Sequence, residues 1–168
     1  PKALDDATRA APRDLSILAL QQDDATLAGA LEEGDGEARL EDGGAYSGRS
    51  ALRVKSTAKL ARNVPGWGFR IAEDPGPGEY RYLRFAVRIS DGDGAMLALA
   101  HEGEFGGEAE NGRRYGFGAT PAGWEMHAVQ PEAPRDWLVV TRDLWADAGA
   151  FTLTGMGLVP FGGTLWLD

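Results

Sequence analysis

Several side chains of this sequence have the types that grip a sugar ring. A pyranose offers an apolar face that stacks on an aromatic ring and a rim of hydroxyls that planar hydrogen-bonding groups can hold. The stretch EYRYLRFAVRIS (79–90) sets Tyr80, Tyr82, Arg84 and Arg88 on one face if it is a single strand of period two. RRYGFGA (113–119) and WEMHAVQ (124–130) add Arg114, Tyr115 and Trp124, and AMLALAHE (95–102) adds His101. Trp67 stands in NVPGWGFRIAEDPGPG (63–78), a Gly/Pro-rich loop of the kind that often carries binding residues. The same types also suit a plain solvated sheet, where tyrosines and arginines pair across strands, or a core, where most tryptophans are buried.

Other chemistries can be weighed on the same residues. His101, Tyr115 and Arg114 are the types that abstract a proton beside a uronate carboxylate in a polysaccharide lyase, provided that they converge within hydrogen-bond reach. Glycoside hydrolysis needs two carboxylates at a set separation. Glu102, Glu104, Glu108 and Glu110 supply acids, but around the glycine-rich GEFGGEAENG (103–112), which fixes no separation. With 2 histidines, no cysteine and no H-E-x-x-H, the sequence offers no zinc signature. It has no G-x-S-x-G elbow, and Ser47 in YSGRS reads as part of a turn. The Gly-rich DGDG precedes a strand rather than a helix, so it makes no phosphate cradle.

The elements that would position these groups are strands. The 168 residues suit one domain, with 43% hydrophobic and 26% charged residues. The 24 glycines are about twice the usual share and lie scattered between short apolar runs, the pattern of a protein with many turns. SALRVKS (50–56) alternates, with Leu52 and Val54 inward and Arg49, Arg53 and Lys55 outward. In 79–90 the core face is Leu83, Phe85, Val87 and Ile89. DGDG (91–94) predicts a hairpin onto AMLALAHE, and TPAG (120–123) a second hairpin joining 113–119 to 124–130. In DWLVVTRDLW (136–145) both alternating sets are apolar at the centre, which predicts a central strand, and FTLTGMGLV (151–159) places Gly155 and Gly157 where a bulge or close approach would sit. DLSILAL (14–20), EARLED (37–42), 68–72 and TLWLD (164–168) complete roughly nine to eleven short strands. Trp137 and Trp166 read as core or edge packing. The expected architecture is all-β: a two-sheet antiparallel β-sandwich of jelly-roll topology over 14–168, preceded by a linker or extension at 1–13.

Net charge is −9, which disfavours nucleic acid and anionic membranes as partners. No apolar run is long enough for a membrane span. The absence of cysteine excludes disulfides, thiol catalysis and haem attachment through C-x-x-C-H within these residues. A chain starting at Pro1 is expected to be part of a longer protein.

Three segments carry a resemblance. YSGRSALRV (46–54), DWLVVTRDLW (136–145) and TLWLD (164–168) resemble the turn-and-strand, late strand and closing strand of carbohydrate-binding-module-like, galactose-binding-like jelly rolls. GPGEYRYLRFAVR, GAMLALAHEG, TRDLWADAGAFTLTGMGL and the closing LWLD are similar to the domain of that kind found beside haem c domains in planctomycete-type cell-surface proteins. The resemblance covers nearly the whole chain, and its motifs are structural. It implies an extracytoplasmic, non-catalytic accessory module that binds a carbohydrate or cell-surface glycan. The alternatives it leaves are a structural domain packed against a haem-bearing or catalytic neighbour, the haem lying in that neighbour, and a jelly-roll lyase. It also implies a structural Ca²⁺ between the first strands and the last. Asp23, Asp24, Ser47 and Asp168 are the oxygen-bearing residues at that junction.

Overall fold

Strict alternation decides where the core lies. Leu83, Phe85, Val87 and Ile89 are all sealed from solvent, as are Leu52 and Val54, whereas Arg84 is exposed and Arg53 and Arg88 are half-buried. The computed structural model describes residues 17–19, 26–31, 33–106 and 112–168, so Asp23, Asp24, Glu108, Glu110 and the expected linker lie outside the described residues. In chain order the elements are β1 (Ile17–Ala19), α1 (Thr26–Ala30), β2 (Glu37–Asp42), β3 (Ser50–Lys55), β4 (Lys59–Ala61), β5 (Phe69–Ile71), β6 (Glu79–Tyr80), β7 (Tyr82–Asp91), β8 (Gly94–His101), β9 (Arg114–Gly118), β10 (His127–Gln130), β11 (Leu138–Asp143), α2 (Leu144–Ala148), β12 (Phe151–Phe161) and β13 (Thr164–Leu167).

They form two packed sheets. In the first, β11 lines one edge of β7, β1 and β13 follow one another along its other edge, and β3 and β2 continue outward from β13. The second runs β10-β9-β8-β12, with β4 and β5 in succession along the far edge of β12 and β6 beyond β5. The orders β3-β13-β7-β11 and β4-β12-β8-β9 are those of a jelly roll, so the expected all-β sandwich is the observed architecture. The sheets are mixed: β1–β7, β5–β6 and β9–β10 pair in parallel and the other pairs are antiparallel. The core lies between the sheets, where Leu52, Leu83, Phe85 and Ile89 meet Leu97, Leu99, Phe117 and Leu158. Phe85 and Phe117 touch edge to face across it at 6.2 Å.

Four expectations are corrected. The stretch 79–90 is not one strand. Tyr80 ends β6 in the second sheet, Tyr82 begins β7 in the first, and Arg81 carries the chain across. DGDG is not a hairpin turn, because β7 and β8 lie in different sheets; alternation survives such a corner and conceals it. β9 and β10 pair in parallel, so TPAG sits in a longer returning loop. β11 pairs with β7 alone and is an edge strand of the first sheet; its apolar centre reflects Val140 in the core and Trp137 and Val139 on the opposite face. The reading of Gly155 and Gly157 holds. β12 is bulged between Leu153 and Gly155, and a Cβ on Gly155 would run into the carbonyl oxygens of Ala61 and Arg62.

Candidate functional site

A cleft of about 730 Å³ opens at one end of the sandwich. His101 at the end of β8, Phe151 at the start of β12 and Arg113 just before β9 form its floor. Asp147 and Ala148 of α2 make one wall, and Trp124 to His127, entering β10, make the other. Its floor residues share the parity of the core side chains on their strands, so the cleft continues the space between the sheets out to solvent.

The wall depends on α2 being held. Asp143 has extended backbone angles (φ −82°, ψ 92°) and its carboxylate accepts from the Ala146 N–H at 3.0 Å, which starts the helix as an N-cap. Gly149 at φ 72° ends it, and its N–H returns to the Trp145 carbonyl at 2.8 Å. Arg81, the corner between the sheets, grips Asp143 through Nε and a second guanidinium nitrogen at 2.7 to 3.1 Å and packs on the Trp145 ring at 5.5 Å. Partial burial raises the Asp143 carboxyl, but the hydrogen bonds from Arg81 and the Ala146 N–H outweigh it and hold the group below its ordinary range.

Behind the wall lies a polar network. Arg142 holds Asp147 with two bonds of 2.9 and 2.7 Å, and the Tyr115 hydroxyl donates to Asp147 Oδ2 at 3.0 Å. Arg142 also lies over the Tyr115 ring at 5.2 Å, and the His127 ring stacks on that tyrosine at 5.6 Å. His127 Nε2 stands 4.0 Å from Asp147 Oδ1. Burial, followed by the adjacent Asp147 carboxylate, pushes the Tyr115 phenol well above its ordinary value, so it remains a neutral donor. His101 Nδ1 lies 3.1 Å from both the N–H and the carbonyl of Thr152, which ties the ring to the backbone of β12 in either tautomer, and Phe151 meets it edge-on at 6.1 Å. Trp124 stands at the rim, 47% exposed, with Phe161 against it at 90° and 5.8 Å. An exposed ring fixed from one side is a stacking surface. Charged groups share the lining with it: Arg113, almost wholly buried over the Phe151 ring, and the anchored Asp147.

The residues expected to bind a ligand are divided among five places. His101 and Trp124 line the cleft together. Tyr115 is fully buried beneath it, and Arg114, one position away and of opposite parity, turns to the other side of the second sheet and donates to the Gly106 carbonyl at 2.9 Å. The three groups that a lyase would need are therefore not brought together. Tyr80 and Trp67 flank Phe69, at 5.5 and 5.6 Å, as packing against the core. Tyr82 and Arg84 lie on the outer face of the first sheet. Ser47 and Asp168 do meet: the Ser47 N–H donates to Asp168 Oδ2 at 2.6 Å and its hydroxyl to Oδ1 at 3.4 Å. Among the described residues no group of three or more His, Asp or Glu side chains surrounds a common point. Sequence reasoning missed Arg113, His127, Arg142 and Asp147. His127 is one of only two histidines, and the Asp-Leu-Trp-Ala-Asp run 143–147 has a capping pattern, so a signal for α2 was present.

Fold and cleft together define a jelly-roll sandwich with an aromatic-rimmed opening at its end. The fold is similar to part of the glycoside hydrolase domain of Endo-D from Streptococcus pneumoniae R6, with a TM-score of 0.51 and 13% sequence identity over 80% of this chain and 20% of that one. The chain thus spans a fifth of that structure's length, and the likeness is one of fold. No protein-family model matches the chain, and no curated protein matches it.

Proposed function

We propose that this domain is a non-catalytic accessory module that binds a carbohydrate of a cell-surface or extracellular glycan in the end cleft. The observation that carries the reading is Trp124, held edge-on by Phe161, 47% exposed and among the residues that line a polar cleft of about 730 Å³. That volume lies within the range of small-ligand sites. Asp147, a cleft carboxylate, has both oxygens engaged by Arg142 and Tyr115, which suits a fixed acceptor better than a nucleophile or a mobile base. Likeness in fold to part of a glycoside hydrolase domain supports a place in glycan chemistry by fold analogy alone. A structural role against a neighbouring domain would call for a broad apolar face; among the described residues the exposed large hydrophobic side chains are Tyr46 and Trp124.

The test is titration calorimetry against a panel of neutral oligosaccharides. Trp124→Ala should weaken the best binder about tenfold or more, or about 1.4 kcal/mol, while the melting temperature stays close to wild type. A folded domain that binds none of the panel, or a Trp124→Ala variant with unchanged affinity, would sink the proposal.

A further inference from the structure

The outer face of the first sheet carries a row of alternating cations and rings. Arg39, Arg53, Trp166 and Arg88 stand directly opposite one another on β2, β3, β13 and β7, and Trp137 follows immediately before β11. The Arg88 guanidinium lies between two tryptophans, 5.1 Å from the Trp137 ring and 4.9 Å from the Trp166 ring, and Arg53 lies on the far side of Trp166 at 5.9 Å. The spacing is that of neighbouring strands. Both rings are tied by their edges: Trp137 Nε1 donates to the Gly44 carbonyl at 3.0 Å and Trp166 Nε1 to the Ser90 hydroxyl at 3.2 Å. Tyr46 extends the row past Trp137 at 6.5 Å.

The cations in this row are not equivalent. Arg39 and Arg53 are neutralised by Glu37 and Glu41. Arg88 has no ion pair and no hydrogen bond among the described residues, and its Nε is buried without an acceptor. Arg84, two positions away on the same face of β7, is exposed and likewise has no acid partner among the described residues. Asp168, whose backbone pairs with Ala86 between them, gives its carboxylate to Ser47. Two uncompensated guanidiniums, one fixed between rings, thus stand on a chain of net charge −9. A guanidinium held in place by stacking and left without an acid partner is preorganised for a carboxylate. We infer that Arg84 and Arg88, flanked by Trp137, Trp166 and Tyr46, form a second binding strip for a carboxylate-bearing polysaccharide. The rings would meet the apolar faces of its sugars and the arginines its uronate groups. The inference rests on the carbohydrate reading of the domain but uses none of the cleft residues.

The experiment is titration with oligomers of polygalacturonate, alongside a neutral glucan and poly-glutamate, on wild type, Arg84→Gln, Arg88→Gln and Trp124→Ala. Polygalacturonate should bind with an affinity that falls as salt screens the charges. Arg88→Gln should weaken it about tenfold, Arg84→Gln about threefold, and Trp124→Ala should leave it unchanged. Arg84 is exposed, so its variant tests the strip even if Arg88→Gln perturbs the sheet. No binding of polygalacturonate by folded protein, equal binding by Arg84→Gln and wild type, or poly-glutamate binding as tightly as the glycan, would each overturn the proposal. Loss with Trp124→Ala but not with the arginine variants would assign acidic sugars to the cleft instead. Cleft binding that fails while the strip binds would overturn the first proposal and leave this one standing.

Discussion

Asp147→Ala is the sharpest test of how the cleft wall is supported. The substitution removes one carboxylate and strands two groups: the Arg142 guanidinium, which loses bonds of 2.7 and 2.9 Å, and the Tyr115 hydroxyl, which loses one of 3.0 Å. An exposed ion pair is worth about 0–1 kcal/mol, and breaking a fully buried one costs about 3–5 kcal/mol. This pair lies between, with side chains 28% and 11% exposed, so about 2 kcal/mol is expected from the arginine. The orphaned hydroxyl adds about 1 kcal/mol, softened by the Gly112 carbonyl 3.4 Å away. The total of about 3 kcal/mol should lower the melting temperature by about 6–12 °C in a domain of this size. Tyr115→Phe alone should cost about 1 kcal/mol, because Asp147 keeps both bonds from Arg142. Urea midpoints for wild type, both single variants and the double variant then give a cycle with a coupling near 1 kcal/mol. A cost below about 1 kcal/mol for Asp147→Ala, or a coupling near zero, would refute the idea that the network holds α2 against β9.

Two other outcomes follow from the same geometry. Because the Asp143 carboxyl lies below its ordinary value in the folded chain, its stabilising contribution is complete above the unfolded carboxylate range and is lost as pH falls through it; urea midpoints of wild type and Asp143→Asn should differ at pH 7 and converge toward about pH 2. Gly155→Ala should destabilise by about 3 kcal/mol, at the upper end for overpacking, because the obstruction is the backbone of Ala61 and Arg62 rather than a movable side chain; unchanged thermal unfolding would show that the β12 bulge can open.

What the sequence made legible was whatever period two controls within one strand. EARLED coincides with β2, and the inward sets of β3 and β7 are those that alternation assigns. What it hid was which sheet a strand joins. Tyr80 and Tyr82 have the same parity and similar surroundings in sequence, yet a corner at Arg81 sends one ring to the core edge and leaves the other on the outer face. Local pattern carries no record of that corner, because both strands flanking it are amphipathic. The cleft was half visible for a related reason. His101 and Trp124 announce themselves by type, but Asp147 becomes notable only when β9, β10 and β11 bring Tyr115, His127 and Arg142 around it. The arginine–tryptophan row was hidden in the same way, since its members come from four strands and the residue before β11, spread from 39 to 166 along the chain.

The place of β13 has a consequence for how the chain assembles. This strand follows all its neighbours in sequence, yet it is inserted between β3 and β7, and Asp168 just beyond it clasps Ser47, 121 positions earlier. While the chain is being synthesised, β3 and β7 therefore have no shared partner, and the first sheet exists as two separate ribbons with open edges. The seam closes only when β13, which follows both in sequence, enters between them. Such distant pairing places the domain among slow folders, on the order of milliseconds to seconds, and leaves nascent chains exposed to edge-to-edge association until residues 164–168 emerge.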